Sequence, residues 1–297
     1  MATTKEIKSR MSSVSETQKI TNAMYLIAST KLRKAKSAFL KNSPYFEALR
    51  REIKRLFRTK DHINSIYFDE NEGSKKDGAN AYLIITADKG LAGAYNQNII
   101  KRAEKLLQRR RDNLIFVVGE YGRHYFSSHH IPIEQSFLHT AQNPTLHRAR
   151  EICEILLEGY KSGQFNQLYV IYTDYQNGAE EQVVSTRLLP FRHQHFSTGK
   201  NEKISKDTFE FYPSAEAVLE HIMPHYLVGF IYSVLVDSFC SEQYARMTAM
   251  DSANTNAQNL LADLSVEYHH VRQSAITQEI TEISSGAKKI KSMGLGK

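Results

Sequence analysis

The residues best placed to do chemistry are the two glycines of Thr86-Ala87-Asp88-Lys89-Gly90-Leu91-Ala92-Gly93-Ala94, a stretch between an apolar run and an amphipathic one. Glycines after a strand and before a helix can bring backbone N–H groups to a phosphate. The spacing Gly90-x-x-Gly93 makes neither G-x-G-x-x-G nor the G-x-x-x-x-G-K-[ST] loop, so a tight structural turn is expected instead. Twelve histidines invite a search for metal. His129-His130, His193-x-His195 and His269-His270 show neither H-E-x-x-H nor a Cys/His zinc spacing, and solvated imidazoles are expected. Cys153 and Cys240 form no CxxC pair, and there is no G-x-S-x-G elbow. No metal, cofactor or active site is therefore expected, and an enzyme built on the middle of the chain is disfavoured.

The elements around that stretch are more informative. From Gln243 an apolar series advances by alternating fours and threes through Met247, Met250, Asn254, Ala257, Leu261, Leu264, Tyr268, Val271 and Ala275. This period of 3.5 marks a helix wound against another helix. The series then slips to Ile276, Ile280, Ile283, Ala287 and Ile290. A slip turns the buried stripe to a new face, so these turns should pack on something other than the earlier partner. The same stepping from Ile7 passes Met11, Val14, Gln18, Thr21, Tyr25, Ala28, Leu32, Ala35, Phe39, Asn42, Phe46, Leu49 and Ile53 to Leu56. Ser43-Pro44 predicts a kink or a restarted helix, and Ser15-x-x-Gln18 reads as a capping box. Two seams at opposite ends of one chain can pair antiparallel if the middle folds into a domain joining their inner ends. Core helices of a larger bundle are the less favoured alternative. The polar seam residues Gln18, Thr21, Asn42, Gln243 and Asn254 either fix register or mark places where the helix faces another protein.

Residues 69–80 are polar and aperiodic, a boundary. Beyond them, strands are expected at 82–85, 114–118, 167–172 and 182–189. Helices are expected at 96–111, 121–128 and 146–160. Alternation of this kind predicts a mostly parallel, doubly wound sheet. The fold class is thus α/β: a long antiparallel coiled coil of the N- and C-terminal helices, with a Rossmann-like α/β domain inserted between them. The domains are 1–60 with 210–297 as the shaft, and 75–209 as the inserted domain. The last helix begins near Ser214, with irregularities at Pro224 and Gly229.

Residues 1–60 hold fifteen Lys and Arg against four Glu, a balance of +11 in a chain of net charge +7. A basic helix of this kind suits DNA, an anionic surface or an acidic protein partner. Its basic residues are not interleaved with base-reading or stacking groups, which disfavours nucleic acid. No run of 18 apolar residues and no signal or transit segment is read. The cysteines fit a reducing compartment.

Three blocks then resemble one family, the γ subunit of bacterial F-type ATP synthases. They are Lys5-Glu6-Ile7-Lys8 with Thr17 to Met24 and Lys31 to Ala35; Thr86 to Asn96; and Ser241 to Asp251 with Ala257 and Arg272 to Ile283. The resemblance spans essentially the whole chain, and its third block is highly specific. It implies a central rotor shaft, itself non-catalytic and without cofactor, that couples ion-driven rotation of a membrane ring to conformational cycling of catalytic β subunits during ATP synthesis or hydrolysis. The implied partners are three α and three β subunits, the ε subunit and the c-ring. The implied place is peripheral, on the cytoplasmic face of a bacterial plasma membrane. By resemblance, Lys19, Met24, Arg246, Gln273, Thr277 and Glu279 contact the catch and shaft surfaces of the partners, and Ile276, Ile280 and Ile283 face a collar. Phe209, Glu210 and Tyr212 lie near the c-ring, with Tyr212 standing where the family often carries a carboxylate. The basic tail Lys288–Lys297 is expected to emerge beyond the collar and fray.

Overall fold

The computed structural model describes residues 3–59, 63, 65–68, 78–108, 112–137, 141–175, 182–191 and 211–294, with the backbone alone at 58–59 and 290–294. Contacts divide the chain into two compact units, residues 1–27 with 247–297, and residues 28–246. Both boundaries fall inside long helices, whereas the boundaries read from the sequence follow the ends of elements.

The larger unit holds a five-stranded sheet of order β3-β2-β1-β4-β5. Strands β1 (Asn80–Ile85), β2 (Asn113–Val118), β3 (Gln135–Phe137) and β4 (Gln167–Asp174) are parallel, and β5 (Gln182–Leu189) returns antiparallel to β4. Helices α2 (Tyr95–Leu107), α3 (Glu120–Ser128) and α4 (Leu146–Lys161) form the crossovers. Central strands of a parallel sheet are covered on both faces, which is why Tyr82-Leu83-Ile84-Ile85 is apolar without alternation. Leu83, Ile85, Phe116, Val118 and Val170 pack with Ile53, Leu56, Ile152, Leu156, Leu219, Met223 and Leu227. Tyr82, Ile84, Ile115, Val117 and Ile171 pack with Tyr95, Ile99, Phe126 and Ala245. Strand β3 is absent from the sequence reading: Gln135-Ser136-Phe137 has no apolar run, and only its pairing with β2 defines it.

Helices α1 (Thr4–Thr59) and α5 (Ala215–Gly294) each carry a proline in their interior. Of the kink or restart expected at Ser43-Pro44, the restart is not found, and both helices run unbroken through Pro44, Pro224 and Gly229. A proline inside a helix costs about 3 kcal/mol through one lost hydrogen bond and a clash. Burial of Ile53, Leu56, Met223 and Leu227 in the sheet domain's core offsets it. Residues 28–56 and 215–246 serve in addition as core helices of the sheet domain: Leu32 and Ala35 of the first seam share one cluster with Leu219, Ile231 and the strands. This also explains a window of 18 residues in α5 whose mean hydropathy reaches 1.3; 61% of it is buried inside the protein, as befits a core helix. Asn42 donates to the Tyr232 hydroxyl at 3.4 Å, and Phe46 lies on Gly229, so the two helices run antiparallel in this unit.

In the smaller unit, α1 from Thr4 to residue 27 packs along residues 247–271 of α5. The N-terminus is closed by a reciprocal box well before the one read at Ser15: Thr3 N donates to Glu6 Oε2 at 2.8 Å, and Glu6 N to Thr3 Oγ1 at 3.3 Å. Ser15 and Gln18 lie in mid-helix. Ile7, Met250 and Leu264 are buried, and Met11, Val14, Thr21, Asn254, Leu261 and Tyr268 are half-buried, as a 3.5-residue seam requires. Thr21 donates to Asn254 Oδ1 across that seam. Counting seventeen residues outward from this bond reaches Thr4 on α1 and Val271 on α5. From Arg272 to Lys289 every residue of α5 is exposed, because α1 has ended. The helix continues through Gly294.

Two predictions arise. Gly229→Ala places a Cβ inside the Phe46 ring, and overpacking of this kind should cost about 1–3 kcal/mol in chemical denaturation; Phe46→Leu in the same chain should recover part of it. Thr21→Ala and Asn254→Ala should couple by about 1 kcal/mol in a double-mutant cycle; additive losses would mean that the pair does not set the register.

Candidate functional site

The stretch Thr86–Ala94 folds as a turn in which Thr86, Ala87 and one oxygen of Asp88 bond within the protein itself. Thr86 Oγ1 donates to Val118 O at 2.9 Å and accepts from Gly122 N at 3.0 Å. Ala87 N donates to Asn96 Oδ1 at 2.9 Å, and Tyr121 N donates to Ala87 O at 3.1 Å. Asp88 Oδ1 accepts from Glu120 N at 3.0 Å, so the positive end of α3 receives the chain's own carboxylate. Gly119, at φ +96°, passes so close to Thr86 O that a Cβ there would overlap it. Gly93, at φ +55°, supplies the left-handed step that closes the turn, and Leu91 takes a similar step at φ +61° while its side chain stands exposed. This geometry is that of the structural turn read from the sequence.

Arg246 is 8% exposed. Its Nη1 pairs with Glu242 Oε1 at 2.6 Å, and its Nη2 donates to Gly90 O at 3.0 Å and to Lys89 O at 3.2 Å. Gln243 Nε2 also donates to Glu242 Oε1, at 3.1 Å. Burial raises the Glu242 pKa, Arg246 lowers it, Asp88 adds to the rise, and Lys31 opposes it. The arginine that the resemblance assigns to the shaft surface is thus turned inward, onto the turn. Glu242 was not singled out from the sequence. The i,i+4 spacing of Glu242 and Arg246 is legible there; their burial is not.

The other residues named from the sequence lie apart. Lys19 is exposed and Met24 half-buried on α1. Gln273, Thr277 and Glu279 are exposed on the end of α5 that has no partner. The Thr277 hydroxyl donates back to Gln273 O at 2.9 Å. Ile276, Ile280 and Ile283 are 45%, 62% and 73% exposed. Tyr212 is 95% exposed; Phe209 and Glu210 lie outside the described residues. No cluster of three metal-ligating side chains occurs among the described residues.

Other titrating groups are buried in the sheet domain. Burial pushes both free thiols up to about 12, with Glu154 reinforcing Cys153, and Asp237 reinforcing and Lys36 opposing at Cys240. Thiols of this kind are poor nucleophiles. Burial, and then Asp174, push the Asp237 carboxyl up from 3.8 to about 7.

The ATP synthase family model matches residues 3–290. The chain is 40% identical over 296 residues to the ATP synthase gamma chain of Acetivibrio thermocellus, covering 98% of this chain and 100% of the relative. It is 35% identical over 297 residues to the sodium-ion-specific ATP synthase gamma chain of Acetobacterium woodii, covering 95% and 97%. In fold it is similar to a chain of the Euglena gracilis mitochondrial ATP synthase (OSCP/F1/c-ring), with TM-score 0.69 and 15% identity over 97% of this chain and 95% of that one. It is also similar to a chain of the central stalk and c-ring of the Tetrahymena thermophila mitochondrial ATP synthase, with TM-score 0.56 and 23% identity over 79% and 99%. The chain belongs to the ATP synthase family, among its γ chains. Its role is that of the rotor shaft in an F-type ATP synthase. It works within a membrane-associated complex.

The raised Asp237 carboxyl has a measurable consequence. Between about pH 4 and 7 the folded chain holds a proton that the unfolded chain releases, so stability falls as pH rises through that window and levels off above it. Asp237→Asn should flatten this slope. The variant should match the parent near pH 4 and exceed it by about 2 kcal/mol at pH 8, after allowance for partial solvent screening. Thermal melts across that range check it.

Proposed function

We propose that the chain is a non-catalytic subunit acting through three surfaces: the unpartnered end of α5, the basic face of α1, and the exposed end of the sheet domain at Tyr212. The observation that carries this is the bare stretch from Arg272 onward, where a long helix presents Ile276, Ile280 and Ile283 to solvent. The implied cover is a collar of three α and three β subunits. Gln273, Thr277 and Glu279, with Lys19 and Met24, make polar and close contacts to the β subunits; ε and the c-ring meet the sheet domain. The complex would sit on the cytoplasmic face of the membrane, and residues 1–60 and 210–297 together would form the shaft.

The mechanism is differential contact. A two-helix shaft has no threefold symmetry, so each β subunit meets a different side of it, and each is held in a different state. Rotation exchanges these states. By linkage, nucleotide-driven changes in the β subunits must turn the shaft. The excess of positive charge in residues 1–60 favours acidic loops on the partner side.

Co-expression with α and β subunits, followed by sizing and Mg-ATPase assay, tests the reading. One copy of this chain per six large subunits, with ATPase that depends on it, is expected; a free monomer that binds DNA with steep salt dependence would overturn it. Gln273→Ala with Thr277→Ala should lower ATP-driven turnover of the complex about tenfold, the scale of one or two lost polar contacts. Circular dichroism of the free chain should not change, because neither side chain packs against another element.

A further inference from the structure

Arg246 is the last residue of α5 in the larger unit, and it is the residue that fastens α5 to the turn after β1. The guanidinium is used as a fork. One arm is paired with the buried Glu242 carboxylate, and the other donates to two successive carbonyls, Lys89 O and Gly90 O. The turn it grips is not a free loop. Thr86, Ala87 and Asp88 bind Val118, Gly122, Tyr121 and Glu120, so the grip extends to the ends of β1 and β2 and to the start of α3. Leu91, next in the chain after the two gripped carbonyls, is exposed. A lysine cannot reproduce this arrangement, because an ammonium has no planar fork with which to serve a carboxylate and two carbonyls at once.

We infer that Arg246 is a positioning residue of the rotor. It locks the Lys89–Gly90 turn, and through it the ends of β1 and β2 and the start of α3, onto α5, so that load on the sheet domain enters α5 at this residue instead of being lost as movement of the turn. The inference rests on the rotor role given above and differs from an arginine that touches a partner subunit. Glu242 separates the two. It is buried and holds Arg246 in place, so it matters if the fork is internal and not if Arg246 serves a partner.

The test uses the assembled complex carrying Arg246→Lys or Glu242→Gln. Amide hydrogen exchange across residues 86–94 should rise about tenfold in both, as expected for loss of charge-assisted bonds that hold one local segment. Ions pumped per ATP hydrolysed, measured in vesicles, should fall at least about twofold in both. Exchange at the parent rate would overturn the inference, even with pumping impaired, since Arg246 would then act on a partner. A loosened turn with unaltered pumping per ATP would also overturn it and leave the rotor role standing. Failure of both variants to assemble would make the pair a folding requirement and overturn positioning. Failure of the unaltered chain to assemble would reject the rotor reading itself.

Discussion

Much of this molecule follows from one constraint: an 80-residue helix must find cover for an apolar stripe along its length. A helix in water gains most of its stability from the face it buries rather than from its own hydrogen bonds. Helix α5 meets the requirement in three ways. Over residues 215–246 it is a core helix of the sheet domain, buried on most sides. Over 247–271 it is half of a two-helix seam. Beyond 271 it has no cover, and the isoleucines are in water. The change from the second regime to the third is set by where α1 begins, at Thr4. The bare end is therefore a consequence of unequal helix lengths, and a long exposed apolar helix end is the feature that most calls for partner subunits.

Within the sheet domain the same logic disposes of the nucleotide reading. A strand, a glycine-bearing turn and a helix are present in the order that a phosphate site requires. Yet Asp88 places a carboxylate at the start of α3, Asn96 takes Ala87 N–H, and Arg246 takes two of the turn's carbonyls. The turn serves as a joint. A fold that elsewhere carries chemistry here carries load, and function has to be argued from what the side chains touch.

Electrostatics supports that division. Arg246 answers Glu242, while Asp237 avoids ionisation by holding its proton close to neutrality. The end of α5 beyond Val271 carries isoleucines and uncharged polar groups among Arg272, Glu279, Glu282, Lys288 and Lys289, all exposed.

The sequence by itself determined the periodicities. The seam from Ile7 to Leu56, the slip after Ala275, and the apolar runs of β1, β2 and β4 all depend on local repeat, and each side chain's face follows from 3.6 or 2 residues per turn. Those features, with the blocks around Met24, Asp88 and Gln273, were enough for the family. Only the tertiary structure decided what covers each face. The sequence reads one uniform seam, but half of it packs on a sheet, since periodicity reports that a stripe is buried and not against what. It reads a kink or a restart at Ser43-Pro44, and core packing carries the helix through without a restart. It does not reveal β3, because three residues at a sheet edge owe their form to β2. It assigns Arg246 to a partner, and the fold turns it onto Lys89 and Gly90. Residues 157 and 156 positions away are beyond the reach of any local pattern, and only closure of the chain brings those carbonyls to the guanidinium.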